Sequence, residues 1–186
     1  MAEHNNPWQV IQSREVYDNN WIKVTEYDVI NPSGGRGIYG KVHFKNRALG
    51  ILAMDDEHNI YLVGQYRFVL NQYSWEIPEG GGLLEEDPLD AAKRELKEET
   101  GLEAAKWEKL MDFHLSNSIS DEYGHVYLAR ELKQGDSRLE ETEDITVKKV
   151  SLDQAYQMVI NGEITDSMSV AAIFRVKLLV QESKQH

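Results

Sequence analysis

The order of its hydrophobic patterns constrains this chain most: runs with strand character fill the first half, and helical runs come late. Trp8–Ser13, Trp21–Ile30 and Gly37–Phe44 are rich in Val, Ile, Tyr and Phe and alternate in places, as half-buried strands do. Asn31-Pro32-Ser33-Gly34-Gly35 separates the last two with turn chemistry and predicts a hairpin. Ala48–Met54 and Ile60–Tyr66 form a second apolar pair joined by Asp55–Asn59, and Leu110–Leu115, His125–Leu132 and Ile145–Val150 supply further strands. Helical periodicity falls on Asp87–Thr100, on Leu152–Ile160 before Asn161-Gly162, and on the apolar-striped Asp166–Val180. Strands first and helices late predict an α+β or sandwich architecture rather than regular βαβ alternation.

The first helix is strongly punctuated. Asp87 suits the N-cap, Pro88 the first helical position, and Gly101 the left-handed stop. Along it, Glu95, Glu98 and Glu99 stand at i, i+3 and i+4, so they share an arc of roughly 100°. Leu89, Ala92 and Leu96 fall on the neighbouring arc and point to the core. Like charges at this spacing repel, and a divalent cation turns that repulsion into binding. All-oxygen donors point to a hard ion. The plain alternative is a solvated acidic face with Lys93, Arg94 and Lys97 as local partners. The run Gly80–Gly82 just before shifts the balance, because glycine lets backbone approach a ligand or adopt positive φ.

The 186 residues suit one domain, or one domain with a substantial N-terminal extension. With 32 acidic against 20 basic residues, a net −12, the surface repels polyanions and extensive nucleic-acid binding is not expected. The chain has no cysteine, which excludes disulfides, thiolate metal sites and a cysteine nucleophile and fits a reducing compartment. Met1–Ser13 has no secretory pattern, and no run approaches the ~18 apolar residues of a membrane span. A cytoplasmic protein with no membrane partner is expected.

Gly80, Glu86, Arg94, Glu95, Leu96, Glu98, Glu99, Gly101 and Leu102 stand in a fixed pattern. It runs Gly, five residues, Glu, seven residues, Arg-Glu-aliphatic, one residue, Glu-Glu, one residue, Gly-aliphatic. This resembles the Nudix box, and a chance match is on the order of 10^-10 per window at average residue frequencies. The flanks are similar to ADP-ribose and nucleotide-sugar pyrophosphatases: Gln65-Tyr66-Arg67 and Trp75–Gly80 before the box, Glu141–Ile145 and Ser151–Tyr156 after it. The likeness spans roughly Arg47 to Val180.

The resemblance implies a Nudix α/β/α sandwich, a mixed sheet between helices, over 47–186. It also implies an extra N-terminal antiparallel sheet over 1–46 that exchanges strands in a homodimer. By position, Glu95, Glu98 and Glu99 with the backbone carbonyl of Glu79 would hold Mg2+, or Mn2+ in its place, with Glu86 in support. Arg94 would orient these glutamates, Arg67 would grip a phosphate oxygen, and Gly80 and Gly81 would lie along the substrate. The general base would come from the loop after the box, Glu141 or Glu143, with Glu140 in reserve. Glu99→Gln is expected to remove a ligand from an exposed helix face.

The implied substrate is a nucleoside diphosphate sugar, ADP-ribose included. The strict ADP-ribose subgroup has a proline about fifteen residues past the box, where this chain has Ser116-Asn117-Ser118, and this leans towards GDP-mannose-like or broader use. House-cleaning of nucleoside triphosphates or capped RNA, and a non-catalytic binding module, stay open as alternatives.

Other signals fall away. Gly35–Lys41 reads G-x-x-x-x-G-K, but Val42 follows in place of the Ser or Thr of a P-loop. His114 and His125 lie in or beside strands and read as surface or core residues. Tyr17, Trp21, Tyr39 and Phe68 could stack on a base but suit sheet packing better.

Overall fold

The computed structural model describes residues 5–135 and 144–183. It divides into two compact units, Met1–Asn46 with His114–Glu122, and Arg47–Phe113 with Tyr123–His186.

In the first unit, β1 (Gln9–Asp18), β2 (Ile22–Ile30) and β3 (Arg36–Phe44) form an antiparallel sheet in that order. The β2–β3 hairpin closes because the Asn31 side-chain carbonyl accepts the Ser33 and Gly35 amides, each at 3.0 Å. Gly34 takes the left-handed conformation that the turn demands (φ 84°). Residues 114–122 belong to this unit, and they are tied to β3. The Val42 amide donates to the Ile119 carbonyl at 2.9 Å, and the Asp121 amide to the Val42 carbonyl at 3.1 Å. The Asp121 carboxylate accepts the Phe44 amide at 3.0 Å and sits 2.7 Å from Lys41 Nζ and 2.8 Å from His43 Nδ1. Burial alone would raise that carboxyl, but these partners hold it down at about 2.

The second unit contains β4 (Asn46–Ala53), β5 (Asn59–Arg67), β6 (Gln72–Glu76), β7 (Glu79–Leu83), α1 (Pro88–Thr100), β8 (Leu102–His114), β9 (Tyr123–Gln134), β10 (Thr146–Ser151), α2 (Leu152–Ile160) and α3 (Ser167–Ser183). One sheet runs β7-β4-β9-β8, with β4 and β9 parallel, and a second runs β10-β5-β6 and is antiparallel. The apolar runs on either side of Asp55–Asn59 thus enter different sheets and are joined by the Met54–Ile60 bridge.

Strand alternation distributes the helices. Leu49, Ile51 and Ala53 of β4, with Tyr127 and Ala129 of β9, pack on Ala91, Ala92 and Leu96 of α1. On the opposite face, Gly50 of β4 and Gly124 of β9 lie against Met168 of α3. The four-stranded sheet therefore lies between α1 and α3, an α/β/α sandwich, accompanied by the separate N-terminal antiparallel sheet. Strands β6 and β7 were not expected from the sequence, because Glu-Gly-Gly-Gly-Leu has poor strand propensity. Among the described residues, no helix is long and apolar enough to cross a membrane.

Candidate active site

Helix α1 is set by its ends. The Asp87 carboxylate accepts the Leu89 amide at 2.9 Å and the Asp90 amide at 3.2 Å, Pro88 begins the helix, and Gly101 ends it at φ 71° with its amide on the Lys97 carbonyl. Ala91, Ala92 and Leu96 are buried without residue, which fixes the rotation of the helix. The acidic arc then falls at the edge of the buried seam and grades in depth. Glu98 keeps 30% of its side chain exposed, Glu95 13%, and Glu99 only 2% of the residue. The expectation of an exposed face is corrected at Glu99. The arc turns inward there, and the chain entering β7 covers it, with the Glu79 amide donating to Glu99 Oε2 at 3.0 Å.

The glycine run has a packing cause. Gly80–Gly82 lie in β7, and none takes a positive φ. A Cβ on Gly80 would stand 2.1 Å from Glu95 Cδ and 2.2 Å from its Oε2, so the Glu95 carboxylate occupies the space a side chain would need. At Gly82 a Cβ would meet Ala91 Cβ at 3.0 Å and Leu49 Cδ1 at 3.1 Å. Glycine here lets α1 approach β7 closely enough to seat Glu95 on the strand.

Two arginines balance the acids. Arg94 Nη1 lies 2.8 Å from Glu95 Oε1 and 2.9 Å from Glu98 Oε2. Its Nη2 donates to the Gly81 carbonyl at 3.1 Å and reaches Glu86 at 3.5 Å. Burial acts to lower the Arg94 pKa, but the glutamates outweigh it and raise it. Arg67, at the end of β5, donates from Nε to both oxygens of Glu76, at 3.0 and 3.1 Å, and also pairs through Nη2. The hydrogen bond to Glu76 raises the Arg67 pKa, and the nearby charges of Glu79 and Glu99 act in the same direction. Arg67 is therefore held at the end of β5 by Glu76.

The Glu79 side chain points to α3. Its Oε1 accepts the Ser169 hydroxyl at 3.0 Å, and burial, followed by the neighbouring Asp166 carboxylate, pushes its pKa well above the usual range. Glu76, Asp166 and Ser169 escaped the sequence reading. The signal for the last two was present at the start of the C-terminal helix, where Asp166 caps by accepting the Ser169 amide at 2.7 Å.

The donor set that the chain offers, carboxylates and backbone carbonyls without sulphur, suits a hard divalent ion. Among the described residues, no three His, Asp or Glu side chains are drawn together around one point as a ready metal cage. Glu95 and Glu99 instead flank the Glu79–Gly80 backbone, one against Gly80 and the other on the Glu79 amide. Glu140, Glu141 and Glu143 lie outside the described residues. His125 is buried in β9 with Nδ1 2.6 Å from Asp112 of β8. His114 ends β8, exposed.

A sandwich that carries a glutamate-rich helix on a glycine strand defines a hydrolase class that generally works with divalent metal ions. The sequence pattern described as NUDIX domain matches residues 44–168, and that described as Nucleoside diphosphate sugar hydrolase N-terminal domain matches residues 8–42. The chain belongs to the Nudix family and is a Nudix pyrophosphatase. It is 36% identical to an ADP-ribose pyrophosphatase of Mycobacterium tuberculosis, over 95% of this chain and 85% of that one. It is 33% identical to the methanol dehydrogenase activator of Bacillus methanolicus, over 96% of each chain. A crystal structure of an ADP compounds hydrolase shares the fold, with a TM-score of 0.86 and 19% identity over 98% of both chains.

Proposed function

We propose that this enzyme hydrolyses the pyrophosphate bond of nucleoside diphosphate sugars, ADP-ribose or a GDP-mannose-like compound, to a nucleoside monophosphate and a sugar phosphate. The observation that carries this reading is the placement of Glu95 against Gly80 and of Glu99 on the Glu79 amide, with Glu98 and Arg94 beside them. The ADP-ribose pyrophosphatase relative supports the substrate class, and Ser116–Ser118 in place of a proline favours the broader range.

Glu95, Glu98 and Glu99, with the Glu79 carbonyl and Glu86 in support, would hold Mg2+, or Mn2+ in its place. Bound there, the ion neutralises phosphate charge and lowers the pKa of the attacking water. Arg94 keeps Glu95 and Glu98 in register on the helix. Arg67 is held by Glu76 through Nε and Nη2, which leaves Nη1 to meet a phosphate oxygen. The backbone of Gly80 and Gly81 lines the substrate. Glu141 or Glu143, with Glu140 in reserve, takes the proton from the water.

All ten residues of β1 are exposed, Val10, Ile11, Val16 and Tyr17 among them, and so are Trp21 and Ile38. That much apolar surface on one small sheet supports a homodimer with exchanged N-terminal strands. A cytoplasmic location suits a chain without cysteine.

The test is product chromatography on ADP-ribose, GDP-mannose, dinucleoside polyphosphates and dNTPs, with Mg2+ and with Mn2+. Nucleoside monophosphate plus sugar phosphate supports the reading. Pyrophosphate released from dNTPs would replace it with house-cleaning, and no turnover at all would leave a binding module.

A further inference from the structure

The chain crosses from β6 to β7 at Ile77 and Pro78, and three backbone groups at that crossing are held by other segments. The Ile77 amide donates to Ser169 Oγ at 2.9 Å, the Pro78 carbonyl accepts the Ile51 amide at 2.8 Å, and the Glu79 amide donates to Glu99 Oε2 at 3.0 Å. Ser169 is fully buried, and its hydroxyl is used in both directions, accepting from Ile77 and donating to Glu79 Oε1 at 3.0 Å. Its own amide is held by the capping Asp166. The preceding residue, Met168, lies against Gly50 of β4 and Gly124 of β9, which seats the start of α3 on the sheet.

A buried hydroxyl that bonds to two points two residues apart on another segment sets that segment's position, because moving either point leaves a polar group unpaired. Here the segment carries the Glu79 backbone and, through its amide, Glu99. We infer that Ser169 is a positioning residue for the metal-binding end of β7, fixing the Ile77–Glu79 crossing to α3 so that the Glu79 carbonyl and the Glu99 carboxylate keep one spacing. This inference rests on the metal-site reading above, and it adds a residue on the opposite helix layer from α1. Groups of this kind commonly change metal affinity or activity by about 10–100-fold.

The experiment uses the full chain and three variants, Ser169→Ala, Ser169→Thr and Ser169→Cys. Mn2+ binding is followed by the electron paramagnetic resonance signal of the free ion, alongside kcat, KM for ADP-ribose and the melting temperature. Ser169→Ala should weaken Mn2+ binding and lower kcat by about tenfold each, with KM for ADP-ribose changed less than about twofold. Ser169→Thr, which retains the hydroxyl, should recover most of both. Wild-type Mn2+ affinity and kcat in folded Ser169→Ala, whatever its melting temperature, would reduce the residue to packing and overturn the inference. If Ser169→Ala does not fold, the near-isosteric Ser169→Cys decides: its thiol hydrogen-bonds weakly, so the variant should bind Mn2+ less tightly than wild type, and equal binding refutes the idea. A wild-type chain that neither binds Mn2+ nor turns over nucleotide sugars takes both readings down together, whereas a wild-type-like Ser169→Ala removes only this one.

Discussion

The substitution Gly80→Ala separates the seat of Glu95 from the stability of the fold. Gly80 does not take a positive φ, so alanine costs nothing in backbone conformation. The added methyl carbon, however, would lie 2.1 Å from Glu95 Cδ, whereas ordinary contact begins near 3.4 Å. The carboxylate must therefore retreat by about 1.3 Å, and Arg94, paired to it at 2.8 Å, must follow or let go. Overpacking of this kind costs about 1–3 kcal/mol, less where a flexible side chain gives way. Mg2+ holds its oxygens within a narrow range near 2.1 Å, so a ligand displaced by more than 1 Å is lost to it. A misplacement of that size costs about 10^2-fold or more in rate. Gly80→Ala should keep its circular dichroism spectrum and melt cooperatively, yet lose about 10^2–10^3 in metal-dependent release of nucleoside monophosphate. A folded variant with wild-type turnover would show that Glu95 has no part in the chemistry at the position the structure gives it.

Three further outcomes follow from the geometry. Glu99→Gln should lower kcat by at least about 10^2-fold by removing a metal-binding charge. Because Glu99 is buried against the Glu79 amide, urea melts should also show a stability change of about 1 kcal/mol, and a variant with no change in either would refute its role. Arg67→Ala strands Glu76, whose side chain is only 4% exposed, and should cost about 1–3 kcal/mol in urea unfolding, part of which Glu76→Gln in the same chain restores. If the double variant is no more stable than the single, the pair is not what holds Glu76 in place. Asp55 binds Lys149 at 2.7 Å and the Asn59 amide at 2.8 Å, and although burial acts to raise its pKa, these partners bring it from 3.8 to about 2. A depressed carboxyl stabilises the fold fully above about pH 4 and ceases to do so as the pH falls through 2. With Lys149 half exposed, about 1–2 kcal/mol is the discounted size. Asp55→Asn should lose that much at pH 7 and show a flatter stability profile between pH 4 and 2, and an unchanged slope there would refute the assignment.

Local signals carried the reading of α1. Its cap, its proline, its glycine stop and the spacing of its glutamates are properties of a few adjacent residues, and they hold in the structure. So does the β2–β3 hairpin, for the same reason. β7 was hidden because its strand state comes from pairing with β4 and packing on α1 and not from propensity, and β4 and β5 parted because sheet partners are chosen at long range.

From its sequence alone this protein is legible as a strand-first α+β chain whose one well-capped helix carries three glutamates on a shared arc after a glycine run, because helix periodicity and capping act within a few residues. Only the tertiary structure decided that the arc tilts into the core until Glu99 is buried, that the glycines make room for Glu95, and that Glu76, Asp166 and Ser169 stand around Arg67 and Glu79. Those facts depend on which surfaces meet across the sheet, and packing between residues as far apart as Ile77 and Ser169 leaves no pattern along the chain.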